Sequence, residues 1–517
     1  MRAPFAQANP DEAALRQQAL IRARGNSLAL DQRAAARQRA RNEMDDLEAE
    51  FADEADFADE DTSNTRSSTH RARLDALAGR WESDLFGSVL PFWMRHSIDE
   101  THGGYFTCLD RDGSVYDETK YAWLQGRQVY MLARLYNEAS TDNVADPAAR
   151  AAWLRAAANG VKFLDHARDA DTGLLFFSTS RDGSARLHLQ RKPYAGVFYV
   201  QGMLEFWRAL QTHKREGSQY PDIAALEARA DEFLAKAHRT FRELDAWIRD
   251  PSLCGRPAVP ATARDEKETR LADVMCMASL SLDFLKAGAT DACAAGMQDL
   301  AEGKEYYLNL IREAMQNCER HYDTRRGGPP GVLLEHCSGD GLSSDSPAGR
   351  LFSPGHSIEV AWFLMMMCDA VGGSPKHEKL ALEVLEGSIA QGWDEEGGGG
   401  LLYAIDVEGK PLLDATVTAD GKLWWPHSEA LIALTMAATR TGEDKWLTLL
   451  EKVHEYTYRT FVDRVDGSGE KLGGWYGYCN RDGSLARTCV GGNYKGCFHV
   501  PRALLMCVQM VRAASDA

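Results

Sequence analysis

Apolar residues recur at helical spacing along most of the chain from about residue 72 onward. Seven stretches place them at i, i+3, i+4 and i+7, which predicts amphipathic helices. These stretches cover residues 121–139, 148–167, 220–241, 306–322, 377–393, 426–442 and 445–461. A more uniformly apolar helix is predicted from Val360 onward, in "SPGHSIEVAWFLMMMC". The body of the protein is therefore predicted to be mainly helical.

Four segments between the predicted helices share glycine, then aromatic residues, then a D-G or E-G turn. They lie at residues 103–114, 173–184, 400–410 and 473–484. This order is typical of short β-hairpins. Helices that alternate with hairpins indicate a repeat in which each helical pair buries its face on the next. We predict one all-α domain, residues 72–517, folded as a closed (α/α)6 toroid with hairpins in its loops; an open helical solenoid is the alternative.

The first 71 residues differ in composition from this body. An Arg-rich, acid-poor start is followed by the acidic stretch "EMDDLEAEFADEADFADED" at 43–61. A segment with separated charges and few aromatic residues buries little, so we predict a disordered or partly helical arm. An organelle transit peptide in the first ~40 residues is the alternative.

Net charge, apolar runs and cysteine content restrict the kinds of partner and the cellular compartment that the sequence predicts. The net charge of −17 argues against nucleic acid as the main partner. Apolar runs stay below the ~18 residues of a membrane span, and no apolar signal segment opens the chain. The eleven cysteines form no CxxC pair, which indicates reduced thiols and a cytoplasmic protein.

Three histidines share an unusual setting, each within two residues of a proline at the start of an apolar helix. They are His356 in "SPGHSIE", His427 in "WWPHSEA" and His499 in "GCFHVPRALL". Alternate helices of a toroid run the same way, so these starts would meet at one end of the ring. The helix dipole disfavours imidazolium there, so we expect lowered pKa values and neutral imidazoles suited to general-base work. A capping or structural role is the alternative for each histidine.

A carboxylate and an arginine accompany these histidines. Glu359 follows His356 by three residues and shares its helix face. Arg127, in "YAWLQGRQVYML", would hold a developing oxyanion if it points into the funnel, and is otherwise a salt-bridged arginine. No HExxH motif or Cys/His cluster is present, so no metal site is expected. Several aromatic residues are either core or walls against which a sugar stacks: Tyr105, Trp123, Trp424, Trp425 and Trp475.

Five motifs carry a family resemblance: "YAWLQGRQVY", "GRLFSPGHSIEVAWFLM", "KLWWPHSEALIAL", "GGWYGYCNRDGS" and "KGCFHVPRALLMC". Together they resemble the N-acylglucosamine 2-epimerase family, also called renin-binding protein. The resemblance runs in order from about residue 75 to the C-terminus and does not cover the arm. It implies an (α/α)6 barrel and the interconversion of N-acetylglucosamine and N-acetylmannosamine without a redox cofactor.

The resemblance also implies roles for individual residues. His356 and His499 correspond to the acid/base pair, while Arg127 and Glu359 correspond to site residues. His427 stands where cellobiose 2-epimerases usually have glutamine, which favours an amino-sugar substrate. The role of Glu335 stays open, because His336 follows it where a polar amide is expected. The substrate-binding set is completed by Tyr105, Trp123, Glu335, Trp425, Glu429 and His427.

The family resemblance also leads to two expectations about binding partners. The resemblance implies a homodimer, and it implies ATP or another nucleotide as an activator. No nucleotide motif is present to locate such a site, since "EEGGGGLLY" reads as a hairpin turn rather than a phosphate cradle.

Inversion at C2 needs two acid/base groups on opposite faces of the open-chain sugar, in opposite protonation states. Three alternatives remain at this point. An aldose–ketose isomerase, or a 2-epimerase of another sugar, would share the enediolate intermediate. An (α/α)6 glycoside hydrolase would use two carboxylates, Glu359 with Glu429 or Glu335. A non-catalytic binding protein would use none of these groups chemically.

Overall fold

The computed structural model describes residues 60–138, 147–169, 171–189, 192–217, 220–255, 268–288, 303–322, 330–338, 346–412, 419–463 and 473–516. The chain divides into two compact units, residues 1–71 and 72–517. The predicted arm lies outside the described residues except for the beginning of the first helix.

Fourteen α-helices occur within the described ranges. They are α1 (Glu60–Asp84), α2 (Leu90–His96), α3 (Ala122–Glu138), α4 (Pro147–Leu164), α5 (Tyr194–Glu216), α6 (Pro221–Glu227), α7 (Ala230–Arg249), α8 (Leu271–Ala287), α9 (Gly303–His321), α10 (Pro354–Val371), α11 (Pro375–Gly392), α12 (Trp424–Thr441), α13 (Asp444–Thr460) and α14 (His499–Asp516). A five-residue π-helix, Leu85–Val89, joins α1 to α2.

The helices of the second unit form two layers. Helices α3, α5, α8, α10, α12 and α14 pack in succession as an inner layer. Helix α4 packs on α3, α7 on α5, α9 on α8, α11 on α10 and α13 on α12. The π-helix after α1 packs on α14, which completes the outer layer.

The last helices meet the first ones, so the layers close into a ring. Trp81 of α1 donates a hydrogen bond from Nε1 to Nδ1 of His454 on α13, at 3.1 Å. The Phe498 ring, at the start of α14, lies 5.9 Å from the Tyr130 ring on α3. The predicted (α/α)6 toroid is confirmed, and the open solenoid is wrong.

The inner helices are apolar on almost every side because they contact neighbours on both flanks and the outer layer. Helix α10 is an example: it is buried along most of its length, capped by the Ser353 hydroxyl at its start and by Gly372 (φ 84°) at its end. None of the seven predicted amphipathic stretches covers α5 or α8.

Eleven short strands lie in the loops: β1 (Cys108–Leu109), β2 (Val115–Asp117), β3 (Lys120–Tyr121), β4 (Ser178–Thr179), β5 (Arg186–His188), β6 (Glu268–Arg270), β7 (His336–Ser338), β8 (Leu351–Phe352), β9 (Ile405–Asp406), β10 (Lys422–Leu423) and β11 (Tyr478–Cys479). Every pairing is antiparallel: β1 with β2, β4 with both β3 and β5, β6 with β7, β8 with β9 and β10 with β11.

Three of the four predicted hairpins are confirmed. Two are formed by β1 with β2 and by β4 with β5, and in the third, at 473–484, Cys479 bridges Leu485 across the turn. The prediction for 400–410 is wrong in the strand partner, because β9 pairs with β8, which immediately precedes α10. The strand β11 of the third hairpin also pairs with β10, which immediately precedes α12. Local turn residues predict a bend, but the tertiary structure selects which strand completes the ladder.

Candidate active site

The site is assembled from the first turns of the inner helices. His356 begins α10, Trp425 and Glu429 belong to the start of α12, and His499 begins α14. The Trp425 ring lies 5.1 Å from the His356 ring and 5.9 Å from the His499 ring, measured between centroids. The two predicted acid/base histidines therefore contact the same indole.

His356 is paired with a buried carboxylate. Its Nδ1 lies 2.8 Å from Oε1 of Glu335, the residue just before β7. Burial alone would lower the pKa of His356, but the charge and hydrogen bond of Glu335, with smaller contributions from Glu359 and Glu429, raise it overall. The expected lowering of the His356 pKa by the helix start is wrong, because a full negative charge in contact outweighs the partial charge of a helix end.

His499 lies in the opposite electrostatic environment. Its Nδ1 is 2.7 Å from Oε1 of Glu429. Burial, followed by the positive charges of Arg127 and Arg502, nevertheless holds the pKa of His499 well below its usual value. The expected neutral imidazole agrees with this direction, although burial and two arginines cause it rather than the helix dipole.

Arg502 bridges two carboxylates near His499, those of Glu359 and Glu429. Its Nη2 donates to Oε1 of Glu429 at 2.6 Å and to Oε1 of Glu359 at 3.0 Å. The second oxygen of Glu429 accepts a hydrogen bond from Nε1 of Trp362 at 3.1 Å. Each carboxylate that a glycoside hydrolase would need is thus engaged by a histidine or by Arg502.

The remaining ring nitrogens are available to a substrate. Within the described residues, the hydrogen bonds of His356 and His499 to protein side chains all involve Nδ1, and neither Nε2 has a partner. Because Glu429 accepts the Nδ1–H of a neutral His499, its Nε2 carries the lone pair of a base. The raised pKa of His356 favours the protonated form, which carries a proton to donate.

Arg127 is held by aromatic rings instead of acids. Its guanidinium carbon lies 4.4 Å from the Trp123 ring centroid, 4.0 Å from that of Phe198 and 4.6 Å from that of Phe498. Its Nε is buried with no hydrogen-bond partner in the described part of the chain. Burial and the charge of Arg502 lower the pKa of Arg127 to about 9, with partial offset from Glu359 and Glu429. The guanidinium keeps donors free for an anionic oxygen.

Two predicted substrate contacts lie outside this cluster. His427 is fully buried; Nδ1 donates to the carbonyl of Leu423 at 2.7 Å and Nε2 accepts from the N–H of Leu401 at 2.9 Å. Tyr105 is fully buried and its hydroxyl donates to the carbonyl of Ala156 at 2.7 Å. Both side chains have structural roles here, in place of the substrate contacts predicted from their motifs.

The other aromatic candidates divide between core and site. Trp475 donates from Nε1 to Asp84 at 3.2 Å in the core, and Trp424 is also buried. Trp123 and Trp425 are partly exposed and contact Arg127 and the histidines respectively.

Arg502 is a site residue that was not predicted from the sequence. It follows His499 by three residues, so the same i, i+3 argument that singled out Glu359 beside His356 would have found it.

The described residues contain neither a metal-binding cluster nor a membrane-spanning helix. No group of three or more His, Cys, Asp or Glu side chains is arranged to hold a metal ion there. None of the helices described above is long and apolar enough to cross a membrane.

Comparisons with known proteins agree with this architecture. The family model for N-acylglucosamine 2-epimerase (GlcNAc 2-epimerase) matches residues 104–248 and 301–503. The mouse protein named N-acylglucosamine 2-epimerase is 35% identical over 448 residues, 86% of this chain and 94% of its own. The human protein of that name is 34% identical, covering 86% of this chain and 92% of its own.

Solved structures share the fold at low sequence identity. Cellobiose 2-epimerase from Bacillus thermoamylovorans superposes with a TM-score of 0.63 at 17% identity, covering 84% of this chain and 99% of its own. A D-mannose isomerase gives a TM-score of 0.61 at 17% identity, covering 85% of this chain and 97% of its own.

Proposed function

Because this chain belongs to the N-acylglucosamine 2-epimerase family, we propose that it interconverts N-acetyl-D-glucosamine and N-acetyl-D-mannosamine by inverting C2. One observation supports the mechanism above all: two imidazoles contact the same Trp425 ring, and their pKa values are shifted in opposite directions. A base and an acid at the same centre are what inversion through proton exchange requires.

The reaction proceeds on the open-chain sugar, whose C1 aldehyde acidifies the C2 proton. In the resting protein His499 is the base: its Nε2 takes the proton, and the C–H electron pair moves into an enediolate-like intermediate. His356 then gives its Nε2 proton to the other face of C2. The proton lost and the proton gained balance, so the step needs no redox cofactor.

Arg127 stabilises the negative charge that develops on O1, because its buried guanidinium is positively charged and its Nε–H has no acceptor in the described part of the chain. Glu335 raises the pKa of His356 and so favours its protonated form. Arg502 binds the Glu359 and Glu429 carboxylates, and its positive charge opposes the rise in the pKa of His499 that a negative charge nearby would cause. The Trp425 ring supplies the apolar surface beside the reacting carbon.

Proton NMR of N-acetylmannosamine incubated with the protein in deuterated water tests this proposal. The expected product is N-acetylglucosamine carrying deuterium at C2. An unchanged sugar would contradict the proposal, and fructose labelled at C1 from a parallel sample of mannose would indicate an isomerase instead.

A further inference from the structure

One side of the inner helix α8 is only partly covered by its neighbours. Within residues 271–284 the partly exposed side chains are those of Ala272, Cys276, Ser279 and Asp283, and all the others are buried. Their spacing of three or four residues places them on the same side of the helix. We call this side the α8 stripe.

The α8 stripe faces helix α3 across the interior of the ring. Asp283 accepts a hydrogen bond from Nε2 of Gln201 on α5 at 2.7 Å, and burial raises the pKa of Asp283 to about 6, against the charge of Arg134 on α3. Two helical turns earlier on each helix stand Cys276 and Arg127. The two are electrostatic neighbours, since burial lowers the pKa of Arg127 to about 9 and a thiolate at Cys276 opposes that lowering.

The Cys276 thiol is accessible as well as close to a cation. Eight of the ten cysteines within the described ranges are buried, and only Cys276 and Cys489 are partly exposed. A guanidinium beside a thiol favours the thiolate, which is the form that reacts with oxidants. The carboxylates of Glu359 and Glu429 would oppose this effect, but Arg502 bridges them and offsets their charge.

We propose that Cys276 is an oxidation site at which hydrogen peroxide switches off the reaction centre. The thiolate sulfur attacks one oxygen of the peroxide, so that an S–O bond forms, the O–O bond breaks and hydroxide leaves. The hydroxide then takes the proton of the new S–OH group, which leaves a sulfenate anion and water. Sulfur loses two electrons in this step and the peroxide gains them.

The sulfenate blocks the reaction because it competes for Arg127. The Nε–H of Arg127 has no acceptor in the described part of the chain, and a guanidinium binds an anionic oxygen through strong charge-assisted hydrogen bonds. This inference rests on the proposed function, because that function places O1 of the open-chain sugar at the same guanidinium. A small thiol reverses the change: it forms a mixed disulfide with Cys276 and releases water, and a second thiol then restores Cys276.

Peroxide treatment of the reduced protein, followed by an epimerisation assay with N-acetylmannosamine, tests the switch. The activity of each variant is expressed relative to its own untreated sample. Cys276→Ala and Cys276→Ser should lose activity about tenfold more slowly than the wild type, the change in thiolate fraction that one pKa unit brings. Cys489→Ser is the matched control and should lose activity as fast as the wild type, because it removes the other partly exposed thiol. Dithiothreitol should restore the wild type.

Trapping of the sulfenate with dimedone, read by mass spectrometry, gives a measurement that does not depend on turnover. Cys276 should carry the adduct before Cys489 does, and N-acetylmannosamine should slow its formation. A wild type without epimerase activity would refute the proposed function, whichever cysteine is labelled. An active wild type would refute the switch alone if it resists peroxide, if Cys276→Ala is inactivated as fast, or if the adduct forms first on Cys489.

Discussion

His356 and His499 are the same residue type at similar helix starts, yet their surroundings shift their pKa values in opposite directions. Glu335 in contact with His356 supplies a full negative charge that outweighs the effect of burial, whereas burial and then the positive charges of Arg127 and Arg502 lower the pKa of His499. The chemical state of each residue is therefore set by partners from other segments of the chain.

Replacing either histidine by alanine should lower kcat/KM for epimerisation about 10²- to 10⁴-fold, the usual contribution of a general acid or base. The remaining histidine still reaches one face of C2. Each variant should therefore exchange the C2 proton of one epimer with deuterium, without inversion, as followed by proton NMR.

His102→Ala serves as the control for this pair, because His102 is an exposed histidine away from the cluster. Its activity should stay within about twofold of the wild type. Near-normal turnover by His499→Ala would exclude the two-base mechanism.

The pH dependence of kcat/KM should be bell-shaped, because only the singly protonated histidine pair is active. Activity is lost at low pH when His499 gains a proton, and at high pH when His356 loses its proton. Glu335→Gln removes the charge that raises the pKa of His356, so the alkaline limb should move about one pH unit or more to lower pH.

This shift is measured from pH–rate profiles of the wild type and Glu335→Gln. Glu313→Gln is the control, since Glu313 is 47% exposed and pairs with Arg249 on the surface. An alkaline limb that stays in place in Glu335→Gln would show that another group governs it.

At the scale of elements, α3 and α5 approach each other closely at Gly126, directly beside Arg127. A Cβ at Gly126 would lie far inside van der Waals contact with the carbonyl of Phe198. Helix α5 also carries Gly202 at this contact, facing the backbone of Gly126. The pair of glycines lets the helices pack tightly enough for Phe198 to reach the Arg127 guanidinium.

Gly126→Ala should destabilise the protein by about 1–3 kcal/mol, because overpacking forces the helices apart. The thermal unfolding midpoint should fall, and kcat should fall with it as Arg127 moves. Gly79→Ala is the matched control in the exposed face of α1, where a Cβ meets nothing within 4 Å. Gly79→Ala should stabilise by up to about 1 kcal/mol, and equal effects of the two changes would contradict the packing argument.

At the scale of the whole ring, the first and last loops are joined by an ion pair. Arg111, in the β1–β2 turn, contacts Asp463, which follows α13, through both Nε (2.9 Å) and Nη2 (3.0 Å). Asp463 is nearly buried and also accepts a hydrogen bond from the Tyr476 hydroxyl at 3.0 Å. This contact joins residues more than 350 positions apart in sequence.

Asp463→Asn should lower the free energy of unfolding by about 2 kcal/mol, because it leaves Arg111 without its buried partner charge. Asp222→Asn is the matched control, since the Arg155–Asp222 pair is about half exposed on both sides. The control should change stability by less than about 0.5 kcal/mol in the same denaturation experiment. Equal losses in both variants would mean that ring closure does not depend on this pair.

The sequence by itself determined the features that depend on short spacing. The helical period, the glycine and aromatic turns and the motifs around Arg127, His356 and His499 are all local, and they were enough to predict the closed helical ring and the resemblance to its family. Residues three or four apart on a helix share a face, so Glu359 could be assigned beside His356.

The tertiary structure decided which groups meet across the ring. Glu335 is 21 positions from His356, and Glu429 is 70 positions from His499, so no spacing rule connects them. His427 has the same motif as the other two histidines, but the backbone of Leu401 and Leu423 occupies both its nitrogens. Charge interactions and burial act through space rather than along the chain, and they set the pKa values of the two histidines. The sequence therefore predicted the direction of the pKa shift correctly for His499 but not for His356.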